Sequence, residues 1–500
     1  MTAPAATAYD EVLYPRRAFP QTHPERLATM ATVYGLNPAP PSQCRVLEIG
    51  CGHGWNLFPM AYDFPDSEFL GFDIAARPIA LGTNDAAALG LNNLRLVPRD
   101  IMDDSDDLGT FDYIIAPGVY SWVPEPVRDR ILAICEARLA PHGVAFVSYN
   151  TYPGCHLRQA VWQILQFHVE GIADPGERIS QARALARFMA DCPQAEGSDG
   201  AVLGSEMRAV LDHSPGLLFH DDLAATNVPV YFREFAAHAR RHRLQFLAEA
   251  NFHEMQPHAY PSEIARQVWL LADQNLVQKE QYLDFLRNRR FRQTLLCREE
   301  VALDRLLRRE TLRGLHFGSS ARPVAERPDV GSPGLVVEFR GRGDSTMSTN
   351  HPLAKAAMLH LGQAWPRLVG LDELLRTARS GTSADEADAL LDILLAAYTA
   401  GLVELSTHSP RFALEPGPRP TASPVVRLQL EHGSFVASLR HTSVYIEDDL
   451  GRRLLRLMDG TRTPEMLRHA LEAPPSPVEV SAAALARKMV EVARLALLVA

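Results

Sequence analysis

The sequence predicts an α/β protein: an open, mostly parallel sheet with helices on both faces, carrying a helical insertion and followed by two small α+β modules. Three observations carry this. Five short β-rich runs alternate with helix-like segments between residues 44 and 150, the pattern of a parallel sheet built through helical crossovers. A glycine-rich turn, "VLEIGCGHGWN" (46–56), follows the first run, where such sheets bind ligands beyond the carboxyl ends of their strands. From 155 to 300 the pattern is mainly helical, and stretches dense in Gly, Ser and Pro then divide the rest.

Taken in order, residues 1–43 are rich in Pro and aromatics and read as an ordered arm ending in a short helix over 24–34. Strands are expected at 45–49, 68–73, 94–98, 111–116 and 144–149, inside a ligand-binding core of 44–170. Residues 171–317 form a helical region that completes the sheet. Its strands are "LQFLAEANF" (244–252) and "FRQTLLC" (291–297), read together as an antiparallel edge. Residues 318–350 read as a linker with one short strand. Three amphipathic helices and a strand over 351–418 suggest a winged-helix unit, and 426–500, two strands and three helices, a second module of similar size. On this reading residues 1–318 fold and bind their ligand without the modules.

Bulk properties narrow the class. The chain has 500 residues, 46% hydrophobic and 22% charged, as in a soluble globular protein. Its net charge of −10 counts against nonspecific nucleic-acid binding. The N-terminus lacks the apolar core of a signal peptide, and no apolar run is long enough to span a bilayer. Six cysteines without a C-x-x-C pair read as reduced thiols of a cytoplasmic protein, so neither disulfides nor a metal is expected.

The turn reads Gly50-x-Gly52-x-Gly54, one residue tighter than a dinucleotide fingerprint, with Glu48 two residues before it. A carboxylate there suits a ligand carrying an ammonium better than one carrying phosphates. Asp73 ends the second strand, placed to hold ribose hydroxyls, and Asp100 follows the third, placed to accept from an adenine amino group. An amino acid end, a ribose and an adenine make S-adenosylmethionine; a phosphate-binding or purely structural turn is the alternative. The chain neighbours Cys51, Ile74 and Ile101 join this cofactor set. Pro117 and Gly118 shape its floor, and Thr22 and His23 of the arm, with Gln21, close over it.

Tyr120 and Trp122 after strand four, and Tyr149, Asn150, Thr151 and Tyr152 after strand five, are the acceptor-side candidates. Tyr120, Asn150 and Tyr152 are taken as lining the acceptor channel; packing in the core, or support of the adjacent helix, is the plainer reading of these aromatics. His220-Asp221 orients a base or caps a turn, and "RNRRFRQ" (287–293) is a basic patch or a solvated helix face.

These stretches resemble the class I S-adenosylmethionine-dependent methyltransferases. More narrowly, 9–36, 44–79, 111–124, 139–158, 217–239 and 280–297 resemble the bacterial group with a methyltransferase regulatory domain, which includes rickettsial outer-membrane-protein lysine methyltransferases. The resemblance implies a Rossmann-like class I methyltransferase sheet, S-adenosylmethionine as cofactor, and a protein lysine as acceptor. Cys155 after "TYPG" departs from the aromatic expected there and would reshape the acceptor pocket. Separately, "VYIEDDLGRRLLRLMDGTRTPEML" resembles a small peptide-chaperone fold that delivers precursor peptides, which fits a peptide or protein substrate. A small-molecule acceptor and a non-catalytic, cofactor-sensing regulator or scaffold are the rival functions. The acids in "EADALLDILLAAYTAG" and the lack of a strongly basic recognition helix count against a DNA reader.

Overall fold

The computed structural model describes residues 7–500 apart from 104–105, 194, 196, 257–259, 342, 344, 378–383 and 474–479. The first six residues of the expected arm therefore lie outside the described residues. The arm begins with α1 (Ala8–Glu11), and α2 (Pro24–Val33) starts at a proline in its first turn, where the missing N–H costs nothing.

The sheet follows: β1 (Arg45–Ile49), α3 (Leu57–Asp63), β2 (Glu68–Asp73), α4 (Ala76–Ala88), β3 (Leu94–Pro98), β4 (Phe111–Ala116), α5 (Glu125–Arg138) and β5 (Leu139–Asn150). An insertion of α6 (Cys155–His168), α7 (Pro175–Asp191), α8 (Asp199–Leu211) and the single turn α9 (Pro215–Leu217) leads through a π-helical turn (Leu218–Asp222) to α10 (Phe232–Arg241). Then come β6 (Leu244–Glu249), α11 (Ser262–Leu271), α12 (Leu276–Arg287) and β7 (Phe291–Arg298). The strand order is β3-β2-β1-β4-β5-β7-β6. β1 to β5 are parallel, and β7 is antiparallel to both β5 and β6. β6 and β7 thus form the antiparallel edge expected; within it β7 is the reversed strand, and β6 runs in the direction of β1 to β5.

Alternation along the strands builds both faces. Val46, Tyr113 and Phe146 point into one core with Phe58, Phe232 and Leu295, while Leu47, Ile114 and Ala145 point into a second with Ile131, Tyr149 and Phe235. Helices α6 to α8 carry their own core around Val161, Ala186 and Met207.

The "RNRRFRQ" stretch is only partly on the surface, and its arginines are engaged in ion pairs within the fold. Arg292 is fully buried, 2.6 Å from Glu249 and 2.8 Å from Asp284, with its guanidinium over Phe232 at 3.9 Å. Arg289 lies 3.1 Å from Asp284, and Arg290 pairs with Glu206 on α8. These charges stitch β6, β7, α12 and the insertion together, as buried charges must be paired.

The expected linker is also folded. β8 (His316–Gly318), β9 (Arg322–Pro323), β10 (Val337–Arg340) and β11 (Thr346–Thr349) precede α13 (Pro352–Ala364), β12 (Val369–Gly370), α14 (Leu371–Thr377), α15 (Ala384–Thr399) and β13 (Glu404–Ser406). β8 is the middle strand of a sheet with β12 and β13, and β9 to β11 form another three-stranded sheet. Phe317 and Phe339 are fully buried in this module's core. The end of the "GLDELLRTARS" helix, 378–380, lies outside the described residues.

The last module holds α16 (Pro424–His432), β14 (Phe435–Ala437), β15 (Ser443–Tyr445), α17 (Asp449–Leu457), α18 (Pro464–Glu472) and α19 (Ala482–Arg494). Helix α16 is additional to the two strands and three helices expected over 426–500.

Both modules pack against the catalytic half. Tyr398 stacks on Phe252 at 4.8 Å and donates to the Met30 sulfur at 3.5 Å. Thr407 N–H donates to Thr29 Oγ1 at 2.9 Å, Ser443 Oγ to the Ala18 carbonyl at 2.8 Å, and Tyr398 and Val425 belong to the same core cluster as Val46 and Phe58. This packing counts against the expectation that residues 1–318 stand alone. No helix among the described residues is long and apolar enough to cross a membrane.

Candidate active site

The glycine turn is held by backbone bonds from Gly50 and Cys51 N–H to the Phe72 carbonyl. Its three glycines, with φ of 72°, 52° and 77°, are not equivalent. A Cβ on Gly50 would lie 2.6 Å from Val119, and one on Gly54 would lie 2.7 Å from Leu96. A Cβ on Gly52 would meet nothing within 4 Å. Gly50 and Gly54 thus serve close packing, while Gly52 faces open space that a ligand can enter.

Glu48 at the end of β1 is buried. Its Oε1 accepts from Asn56 Nδ2 at 3.2 Å, and its Oε2 has no partner among the described residues. Burial pushes its carboxyl up to about 8. An unpaired buried carboxyl oxygen is costly, so it marks where a cation or donor group belongs. Asp73 accepts from Gly52 N–H at 2.8 Å and from Ala75 N–H at 2.9 Å, which fixes the turn to the end of β2. Burial raises its pKa.

The remaining cofactor candidates divide. Asp100 is exposed and accepts from Met102 N–H at 2.9 Å; Ile101 packs against the core and Ile74 is exposed beside Asp73. Gly118 N–H donates to Ser148 Oγ at 2.7 Å, which joins Pro117-Gly118 to β5. Thr22 is buried and accepts from Asn56 Nδ2 at 2.9 Å, one step from Glu48. Cys51 is buried, with its thiol against Gly71. The His23 ring lies 5.4 Å from Phe64 and 4.8 Å from His441 of the last module, lining a cavity of about 250 Å³ between the arm and the modules; His441 in turn is 3.2 Å from Asn56, the partner of Glu48.

On the acceptor side, Tyr120 is a core residue. Its hydroxyl is 2.7 Å from His238 Nδ1 and its ring packs edge-on to Phe235. Tyr149 is likewise buried, stacked on Phe235 at 4.1 Å. Trp122 is half-buried. Asn150 and Tyr152 remain accessible. Asn150 Nδ2 donates to Asn227 Oδ1 at 3.1 Å, and the Tyr152 ring stacks on His156 at 4.3 Å and lies 5.3 Å from Tyr231. Thr151 Oγ1 is spent on the Val230 carbonyl, and Cys155 donates to the Arg290 carbonyl inside α6, where it supports the chain turn.

The arm brings a group that sequence reasoning missed. Asp10 is fixed to the start of α4 by Arg77 N–H at 2.9 Å. His220 Nε2 is 2.5 Å from the Val12 carbonyl, and Tyr9 stacks flat on His220 at 4.2 Å. Tyr14 hydrogen-bonds to Asp221. Burial, then the Asp221 and Asp73 charges, push the Tyr9 hydroxyl up to about 12. Tyr9 and Tyr14 nonetheless keep 37% and 39% of their surface exposed, the combination expected of rings lining a recess. Burial, and then neighbouring Asp222, raise the Asp221 carboxyl to about 7. The signal in the sequence was "YDEVLY", whose two tyrosines sit five residues apart.

Comparison with known proteins agrees with this geometry. Residues 46–143 match a family model described as "Methyltransferase domain", 214–298 one described as "Predicted methyltransferase regulatory domain", and 418–487 one described as "PKMT, C-terminal winged helix domain". An uncharacterized protein of Rickettsia prowazekii is 30% identical over 476 residues, which are 93% of this chain and 85% of that protein. A second from the same organism is 34% identical over 48% of this chain and 96% of its own length. The solved structure of PKMT2 from Rickettsia typhi in complex with AdoHcy aligns with a TM-score of 0.85 and 25% identity, over 97% of this chain and 100% of that one.

Proposed function

The chain belongs to the class I S-adenosylmethionine-dependent methyltransferases that carry a methyltransferase regulatory domain, and from that premise we propose that it methylates lysine side chains of a protein substrate. The observation that carries the amine acceptor is Asp221, a carboxyl that burial raises to about 7, hydrogen-bonded to Tyr14 beside the Tyr9–His220 stack. The likeness to PKMT2 extends over both small modules, which supports a macromolecular acceptor.

The residues fit the cofactor. The unpaired Glu48 oxygen suits the methionine ammonium, the open face of Gly52 admits the ligand against backbone, and Asp73 keeps lone pairs for ribose hydroxyls. Bound S-adenosylmethionine supplies an electrophilic methyl group on a sulfonium. The protein has then to align a neutral amine and exclude water. Tyr9, Tyr14 and Tyr152 desolvate the incoming ammonium, which lowers its pKa. Asp221 would take the proton the ammonium gives up, leaving a neutral amine with its lone pair free. Asn150 and Tyr152 border the acceptor's path.

Two outcomes follow. Asp221→Asn should lower kcat roughly 10²–10⁴-fold, the usual worth of a positioned general base, while leaving S-adenosylmethionine affinity within about twofold. In the parent, kcat/KM should rise with pH through about 7 as Asp221 ionises, and that limb should vanish in the variant. A variant with unchanged rate refutes the role.

Glu48 gives a binding signature. Its carboxyl is protonated at neutral pH because its pKa stands near 8, yet it must ionise to meet an ammonium. Calorimetry should therefore show proton release on binding. Affinity should rise by up to about tenfold per pH unit below that pKa and level off above it. Glu48→Gln should remove this dependence.

A further inference from the structure

We propose that His238, His242 and Asp129 form a binding site for a divalent transition-metal ion, zinc by the chemistry of its ligands, which clamps the regulatory region to the catalytic sheet.

His238 lies on the last turn of α10 and His242 closes that helix, four residues on. At this spacing two side chains share one helix face. Asp129 approaches from α5. Its Oδ1 is 3.1 Å from His238 Nε2 and 2.8 Å from His242 Nε2, and one ligand atom from each residue lies within 4.8 Å of the others. Two imidazoles and a carboxylate are a common three-ligand set for zinc, with Zn–N near ~2.0 Å and a fourth position left for water. Small rotations of the three side chains would open the space. The histidines are buried and Asp129 is 55% exposed, so the fourth position faces solvent.

The other nitrogens supply the second argument. A ligating histidine presents Nε2 and donates its Nδ1 proton to a second partner, which fixes ring and tautomer. His238 Nδ1 is 2.7 Å from the Tyr120 hydroxyl, and His242 Nδ1 is 3.6 Å from Glu136 Oε2. Glu136 is itself held by Arg243, which donates to its Oε1 at 2.6 Å. His238 thus has a hydrogen-bonding partner behind it, and His242 a carboxylate at ion-pair distance. Asp129 and Glu136 offset the charges of Arg241 and Arg243 nearby. The sequence reading expected no metal because it searched the cysteines. The "HARRH" pair was read as plain helix, and its carboxylate partner lies 109 residues earlier.

The test is titration of the full chain, stripped with chelator, with Zn²⁺ against a chromophoric zinc indicator, alongside thermal melts. One equivalent per chain should bind. Asp129→Asn, a change at a half-exposed side chain that the fold tolerates, and His238→Asn should each weaken it at least about tenfold. Tyr120→Phe should weaken it by about tenfold through the lost second partner. Zinc should raise the melting temperature of the parent and not of Asp129→Asn. Absence of a saturable equivalent overturns the proposal. So does an equivalent that binds equally well to Asp129→Asn and His238→Asn, since the ion then sits elsewhere and these three residues only hydrogen-bond.

Discussion

A chain ending at residue 318 is expected to be insoluble or to lack a cooperative melt, although the catalytic sheet closes at Arg298. The cut leaves β8 without β12 and β13, with Phe317 uncovered. It also strips Tyr398 from Phe252 and Met30, and Val425 from the core cluster it shares with the sheet. Each large side chain uncovered costs roughly 1.5–3 kcal/mol. Three or four such losses are comparable to the ~5–15 kcal/mol that separates a domain from its unfolded state. Size-exclusion chromatography and a thermal melt decide it. A monodisperse, cooperatively melting 1–318 that binds S-adenosylmethionine would show the modules to be dispensable.

Asp73→Ala is expected to abolish measurable cofactor binding while the protein stays folded. Two ribose hydroxyls on one carboxylate are worth about 1.5–3 kcal/mol each, or roughly 10²–10⁴-fold in Kd. The variant also frees Gly52 N–H, so the turn loses one of its ties to β2. Calorimetry should show no heat where the parent saturates, with a melting temperature within a few degrees. Unchanged affinity would contradict the ribose assignment.

The sheet was legible because its signals are local. β1 to β4 are bounded by turn residues, and their predicted limits coincide with the observed ones. β5 was expected to begin at 144, after "APHG"; it begins at Leu139 and passes Pro141 and Gly143 with a register shift against β4. β8 to β11 are two to four residues long, too short to show a period among Gly, Ser and Pro. Helix α16 went unread although Pro424, in its first turn, is a helix start.

The cofactor side of the site was legible for the same reason: its residues end successive strands. The acceptor side was not. Tyr120 reads like Tyr152 in sequence, yet only burial on α10 separates them. Asp221 and the arm meet across some 200 residues of chain, as the 208-residue separation of Val12 and His220 shows, and no local pattern announces such a contact.

The most direct measurement is incubation of the full chain with methyl-labelled S-adenosylmethionine and whole-cell extract, followed by electrophoresis and acid hydrolysis. Label is expected in a discrete protein band and, after hydrolysis, in methylated lysine. Label recovered only in small molecules, or in a protein residue other than lysine, would contradict protein lysine methylation, and so would an absence of label from a chain shown to bind the cofactor.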